Sequence, residues 1–363
     1  MERPVEVKPN ELYTQIGIRS HGKGLFYKEP VTGAALGNKA VFWIEPDCFI
    51  VNIVFAWEQA IGKTTQSEVG MIGSHRFPMY RPVNDRVDID YLISYFLTKR
   101  GTDILEAASP GGAGRNKTLG QDRFLKSKIT LPPIEEQRKI AAILTTQDKV
   151  IELKEKRLAE KQRQKKYLIQ QLLTGKKRLP GFTDSWVEKK LGEILDYEQP
   201  QPYLVVSTDY VDSGIPVLTA GKSRILGYTT EQFGIYNKLP VIIFDDFTTD
   251  SKYISYPFKV KSSAMKVLSL KNNDYDLRLV YELMQQIDFP LKDHQRYWIS
   301  EYSQLTISIP KDREEQTAIA TILTDMDKEI ADLEAKRDKY SLLKSGMMQK
   351  LLTGQIRLKI NRI

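Results

Sequence analysis

The chain has 363 residues, 41% of them apolar and 28% charged, with 13 Phe, 18 Tyr and 4 Trp. That is enough for two or three packed domains and far too apolar for wholesale disorder. The longest apolar runs, 49–57 and 241–244, fall well short of the roughly 18 residues that read as a membrane-spanning helix. The first residues carry no basic-then-apolar leader, and a single Cys48 cannot close an intrachain disulfide, so the expectation is a cytoplasmic protein without membrane association. A net charge of +8 leans toward an acidic partner such as nucleic acid.

In chain order, residues 1–131 carry +3 and are rich in Gly, Pro and aromatics. Strand-like runs at 40–44 and 49–55 precede a helical stretch at 89–98, a loop, and a short strand at 128–131. Residues 132–179 carry +7, the densest charge in the chain, on a pattern that reads as one long helix. Residues 180–310 carry −4 and repeat the earlier order: strands at 215–219 and 240–244, a helix at 275–286, and a strand at 304–309. Residues 311–358 are neutral and helical again, and 359–363 form a tail. The fold class expected is α+β: two mixed α/β domains separated by two long helices.

The two helical segments are copies of each other. Residues 132–179 align without a gap on 311–358 at an offset of 179, and twenty of the 48 positions are identical. Among them are Glu136 and Glu315, Gln137 and Gln316, Asp148 and Asp327, Lys165 and Lys344, Gly175 and Gly354, and Arg178 and Arg357. Each copy opens near a proline (Pro133, Pro310), places Glu-Glu in the first turn against the positive dipole end, and closes at Leu-Leu-Thr-Gly. Steps of four and three from Ile319 to Leu351 meet eight apolar residues in ten positions, and from Ile140 to Leu172 six in ten. Such a stripe is a coiled-coil seam, and the 33 residues of the first copy make a rod of roughly 50 Å. The layout predicts an antiparallel pair of helices, a pseudo-two-fold internal repeat, and similar domains at opposite ends of a rod.

Enzyme signatures fare poorly. Ala220-Gly221-Lys222-Ser223 and the strand Val-Ile-Ile-Phe-Asp-Asp at 241–246 resemble parts of a nucleotide hydrolase. The position where the phosphate loop needs its first Gly is Pro216, which has no N–H, and Gly221 to Asp245 is too short for the crossover such folds require. His21, His75 and His294 lie far apart and offer no metal spacing, and no nucleophile elbow or Asn-Pro-Pro-aromatic motif occurs. The expectation is a non-catalytic chain with no metal and no cofactor.

The strings Leu-Pro-Pro-Ile-Glu-Glu-Gln-Arg-Lys-Ile-Ala-Ala-Ile-Leu (131–144), Gln-Gln-Leu-Leu-Thr-Gly (170–175) and Trp-Val-Glu-Lys-Lys-Leu-Gly-Glu-Ile-Leu (186–195) resemble the specificity subunit of type I restriction-modification systems. So do Glu-Glu-Gln-Thr-Ala-Ile-Ala-Thr-Ile-Leu (314–323) and Gln-Lys-Leu-Leu-Thr-Gly (349–354), so the likeness runs over essentially the whole chain. The resemblance implies two target recognition domains that each read half of a split double-stranded DNA sequence. It implies two repeated helices as an antiparallel spacer, two methylating subunits docked on the assembly, and motor-nuclease subunits joining for cleavage. One departure stands out: residues before Val5 offer no counterpart of the 186–195 stretch that introduces the second domain. The first recognition domain is therefore expected to lack an edge element.

Within that reading, the repeat offset carries His294, Gln295 and Arg296 onto Arg115, Asn116 and Lys117. Amides suit adenine and guanidinium forks suit guanine, so these two loops are the first candidates for base and phosphate contacts. Lys63, His75 and Arg76 in the first domain, and Lys222, Arg224 and Lys252 in the second, are the next. A coiled-coil scaffold that reads no DNA is the competing class; it accounts for the helices but not for two aromatic-rich domains.

Overall fold

The computed structural model describes residues 3–37, 39–111, 117–219, 225–291 and 296–359. The chain divides into two compact units, Met1–Lys156 with Ala335–Ile363, and Arg157–Glu334. Both are mixed α/β. Each is built on the start of one repeat helix and the end of the other, the helices spanning Ile134–Leu172 and Arg313–Leu352.

In the first unit the strands are short. Phe49–Val51 lies between Ile61–Lys63 and Met79–Tyr80, and Val41–Trp43 pairs with Ile72–Ser74, all antiparallel. The strand read at 49–55 stops at Val51 because Asn52 turns the chain, its Oδ1 accepting the Val54 N–H at 3.1 Å. Helix Ile89–Phe96 is capped by Asp88, which accepts the Tyr91 N–H, and Lys99–Ala107 by Thr98, which accepts the Gly101 N–H. Phe49, Phe96 and Phe124 meet ring to ring at 5.6–6.1 Å, and Ile140, Leu144, Leu351 and Leu352 of the repeat helices close the same core.

The second unit holds a four-stranded antiparallel sheet ordered Leu195–Glu198, Met265–Leu270, Val241–Asp245, Ser251–Ile254. Val241–Asp245 is buried along its whole length, as a continuous apolar run in a central strand must be. Helix Leu277–Met284, capped by Asp276, packs on this sheet, and Trp186–Lys190 pairs antiparallel with Thr306–Pro310 just before the second long helix.

None of the ten stripe positions in either long helix is exposed, and Ile140, Leu144, Leu172, Ile319, Leu323 and Leu351 among them pack in the cores of the two units. In the first unit Glu136 meets Arg357 at 2.7 Å, Asp148 meets Lys344, and Lys154 lies over the Tyr340 ring. Rising numbers on one segment meet falling numbers on the other, so these segments run antiparallel. In the second unit Lys161 meets Glu329, Lys165 meets Asp327 at 2.6 Å and Arg178 meets Glu315 at 2.7 Å, again antiparallel. Shifted by 179, the Arg357–Glu136 and Lys344–Asp148 pairs of one unit become the Arg178–Glu315 and Lys165–Asp327 pairs of the other.

A second recurring device joins helix to domain. Gln137, buried, accepts the Asp88 N–H at 3.0 Å and donates to the Arg86 and Pro132 carbonyls. Gln316, its repeat mate, accepts the Asp276 N–H at 2.8 Å and donates to the Asp274 and Pro310 carbonyls. The shared bond equates Pro132 with Pro310, so the second copy enters its helix with one residue more than the first.

One predicted element differs. Residues 128–131 are extended but form no strand, whereas their counterparts in Thr306–Pro310 do. The reason is the partner: Trp186–Lys190 pairs with the second, and no described residue pairs with the first. Among the described residues no helix is long and apolar enough to cross a membrane.

Candidate nucleic-acid interface

In the first unit a groove of about 710 Å3 opens between the 52–55 turn and the turn at 74–77. His75 and Arg76 form its exposed rim, and Lys28 and Lys39, which the sequence reading passed over, add two exposed ammonium groups to the Arg76 guanidinium. None of Lys28, Lys39 or Arg76 is in an ion pair among the described residues, so their charge is available to an anion. Gln15 and Asn52 supply amides to the lining, and Phe55, 37% exposed, an aromatic face. Cations beside amides and an open ring are what phosphate and base-edge contact require.

The backbone of Ile53 ties this rim to a third predicted residue. Its N–H donates to the Arg76 carbonyl at 3.0 Å, and its carbonyl accepts the Leu119 N–H at 2.8 Å. Two residues before Leu119, the Lys117 ammonium lies 5.3 Å from the Trp57 ring centre, on the same loop as Phe55. His75, Arg76 and Lys117 thus belong to one patch organised by one loop. Lys63 does not join it: its Nζ bonds Asp90 at 2.7 Å, on the helix beneath, which neutralises it within the fold. Arg115 and Asn116 lie outside the described residues.

In the second unit the two carboxylates that resemble a metal-holding strand are already committed. Asp245 accepts the Phe247 N–H at 2.9 Å and closes a tight turn. Asp246, buried, pairs with the buried Lys266 at 3.2 Å and accepts the Trp298 N–H at 2.8 Å, while its carbonyl takes the Tyr297 N–H. Lys266 in turn donates to Gln199 at 3.0 Å. The same two residues therefore position a cation and a ring: Arg296, exposed, lies 5.7 Å from the centre of Phe247, which is 42% exposed. Lys252 sits on the edge strand Ser251–Ile254 and donates to the Thr219 carbonyl at 2.9 Å. His294, Gln295, Lys222 and Arg224 lie outside the described residues. No cluster of three or more His, Cys, Asp or Glu side chains suited to a metal is found among the described residues.

What the sequence reading missed here are Lys28, Lys39 and Gln15. They are far from residues 74–77 in sequence and carry no motif; only pairing such as the Lys28 N–H to Gln15 carbonyl bond assembles them.

A family model described as the type I restriction modification DNA specificity domain matches residues 45–162 and again 183–340. Over 140 residues, 37% of this chain, the sequence is 53% identical to the type I restriction enzyme EcoR124I/EcoR124II specificity subunit of Escherichia coli. The match spans 34% of that relative's own length. Among solved structures, the S subunit of a type I restriction-modification system from M. genitalium is similar over 99% of this chain and 93% of that one, at 13% identity and a TM-score of 0.66. A chain from a structure of the type I R-M system concerned with complex assembly and conformational transition is similar over 95% and 92%, at 16% identity and a TM-score of 0.52. At such identities the structural likeness is one of fold.

Proposed function

The chain belongs to the family of type I restriction-modification DNA specificity domains, and we propose that it is the sequence-reading subunit of such a complex, each of its two recognition domains reading one half of a bipartite double-stranded DNA target. The observation that carries this reading is the groove of the first unit, where Lys28, Lys39 and Arg76, in no ion pair among the described residues, stand beside Gln15 and Asn52. In it the cations contact phosphates and set register, and amides reach base edges. Asn116 and Gln295 are the amides assigned to base edges from the loops, with Arg115, Lys117, His294 and Arg296 beside them on phosphate. Lys222, Arg224 and Lys252 are assigned to the second half-site, and Lys63, paired with Asp90, is given no contact.

In this reading residues 1–131 and 180–310 are the recognition domains, and the two repeated helices form an antiparallel coiled coil with a pseudo-two-fold relation. The covered stripe and the recurring ion pairs support it. A 39-residue helix rises about 58 Å, so helix length sets the spacing between half-sites, about 15 base pairs for the 33-residue seam. Two methylating subunits dock on the helices, where Leu153 and Leu342 are 66% and 76% exposed, and motor-nuclease subunits join them for cleavage. The complex works in the cytoplasm, and catalysis belongs to its other subunits.

The test is competition binding of the chain, with its methylating partner, to duplexes varied one base at a time. Arg76→Ala is expected to weaken binding to all sequences and lower the salt slope by about one counterion. Asn116→Ala or Gln295→Ala is expected to relax one half-site only, by roughly 1 to 3 kcal/mol. Wild-type affinity and salt slope in Arg76→Ala, or wild-type preferences in both amide variants, would refute the assignment.

A further inference from the structure

The turn at 74–76 that rims the groove of the first unit has a counterpart in the second, and a shared set of hydrogen bonds identifies it. Each central strand lies between two antiparallel neighbours: Phe49–Val51 between Ile61–Lys63 and Met79–Tyr80, Val241–Asp245 between Ser251–Ile254 and Met265–Leu270. Each ends in a side-chain turn. Asn52 Oδ1 accepts the Val54 N–H at 3.1 Å, and Asp245 Oδ1 accepts the Phe247 N–H at 2.9 Å. The Asn52 N–H donates to the Ala60 carbonyl at 2.9 Å, and the Asp245 N–H to the Asp250 carbonyl at 2.8 Å. The next residue then clasps two further segments. Ile53 donates to the Arg76 carbonyl at 3.0 Å and accepts the Leu119 N–H at 2.8 Å; Asp246 donates to the Ala264 carbonyl at 3.0 Å and accepts the Tyr297 N–H at 2.9 Å.

These bonds equate residues 74–76 with 262–264, and the two turns are locally alike. Ser74 Oγ accepts the Arg76 N–H at 3.2 Å, and Ser262 Oγ accepts the Ala264 N–H at 3.1 Å. The same offset of 188 carries Met79, opposite Ile50, onto Val267, opposite Ile243, and Asp88 onto Asp276, the two caps held by Gln137 and Gln316. Within the turns only the serine is shared, so sequence alone does not align them. A backbone held by the same bonds presents its side chains at the same places, and the residue types on it are free to differ.

His75, on the rim of the first groove, falls on Ser263, and both are exposed. Lys261, just before the turn, is exposed and in no ion pair among the described residues. Its N–H bonds the Leu218 carbonyl at 2.9 Å, beside Thr219, whose carbonyl takes the Lys252 ammonium at 2.9 Å. Phe247 opens a ring on the adjoining turn, 42% exposed, as Phe55 does in the first unit at 37%. We propose that the turn at 261–264 contacts the second half-site, Lys261 on a phosphate and the Ser263 hydroxyl at a base edge. This rests on the reading of the groove at His75 and Arg76 as a DNA contact and extends it to residues that carry no motif. The first turn places a guanidinium at its last position, Arg76, where the second has Ala264; the second places its cation in front, so one backbone frame offers different groups to each half-site.

Cys48, fully buried, is the single cysteine of the chain, so a cysteine introduced at an exposed position is its one accessible thiol. The probe is a target duplex carrying a disulfide-activated thiol tether on one base at a time, mixed with the chain and its methylating partner, and the cross-linked chain is identified by mass. Ser263→Cys is expected to cross-link to bases of one half-site and His75→Cys to bases of the other. Lys261→Ala should weaken binding to every sequence and lower the salt slope by about one counterion, a factor of about three across a fourfold change in salt, with the thermal melt in place. Ser263→Ala should relax the preference at one base pair of its half-site by roughly three- to tenfold. Cross-links from His75→Cys alone, cross-links from both thiols to the same half-site, or a wild-type salt slope in Lys261→Ala would overturn this inference and spare the first groove. Cross-links from neither thiol would overturn both.

Discussion

Replacing Gln316 with Leu tests whether the repeat helix locks the domain that precedes it. Leu keeps the volume but cannot accept the Asp276 N–H at 2.8 Å or donate to the Pro310 carbonyl at 2.8 Å. The third partner, the Asp274 carbonyl, belongs to an exposed residue and can turn to water. Two groups around a fully covered side chain are then left unpaired, at roughly 1 to 3 kcal/mol each and less than additively, so the expected loss is about 2 to 4 kcal/mol. Against a domain stability of roughly 5 to 15 kcal/mol this is a large fraction. Gln137→Leu should cost about the same, because the Asp88 N–H and Pro132 carbonyl stand in the same relation to it. Urea unfolding followed by hydrogen exchange assigns each loss to a unit: Gln316→Leu should loosen Leu277–Met284 and spare Ile89–Phe96, and Gln137→Leu the reverse. A loss under about 0.5 kcal/mol in either variant, or loosening of the wrong helix, would refute the lock.

The Arg357 guanidinium, bonded to Glu136, holds that carboxyl below the usual carboxylate range. A depressed folded value means stability present above the unfolded pKa of about 4.3 and lost as pH falls through the folded one, so Glu136→Gln should flatten the stability slope below about pH 5; equal slopes in acid titrations of both proteins would count against it. Lys266→Met strands the buried Asp246 carboxylate and should cost about 3 to 5 kcal/mol in thermal or urea unfolding, with a small effect disproving that the pair is sealed. Seven residues inserted into both long helices should lengthen the nonspecific spacer in methylation mapping and leave both half-sites unchanged; an unchanged spacer would defeat the ruler.

The long helices were legible because their signals are local: a stripe at steps of four and three, acids in the first turn, and a glycine past the end, at φ +67° in Gly175 and +73° in Gly354. The central strand Val241–Asp245 was legible for the same reason, as an apolar run. The edge at 128–131 was not, since its alternation satisfies a strand pattern while strand formation depends on a partner distant in sequence. The groove was half legible. His75 and Arg76 announce themselves as adjacent polar residues of the type that contacts DNA, but Lys28, Lys39 and Gln15 reach the same place only through the pairing of short strands, which no periodicity reports. The acidic pair at 245 and 246 shows the opposite failure. A motif-like string turned out to position Arg296 against Phe247, and only the partners of each carboxylate reveal that use.

The identical residues of the repeat divide by task in a way that alignment alone leaves open. Some pack in the core, as Ile140 and Leu144 do, and their identity reflects packing. Glu136, Gln137, Asp148, Lys165 and Arg178 are different, because their partners are other polar groups with fixed geometry. Gln137 needs an N-terminal helix cap three elements upstream, and Glu136 needs a guanidinium from the other copy's tail. A substitution at one of these positions therefore breaks a bond whose other half sits in a different segment. Each unit is thereby defined by three segments at once: a domain, the start of one repeat and the end of the other. That dependence explains why the same side chains recur in both copies at an offset of 179 while the domains between them share little sequence. It follows that exchanging residues 1–131 or 180–310 for another domain that keeps the equivalents of Asp88 or Asp276 should preserve the ion pairs and the clasp, and that a domain lacking that cap should fail to seat even when its own core is intact.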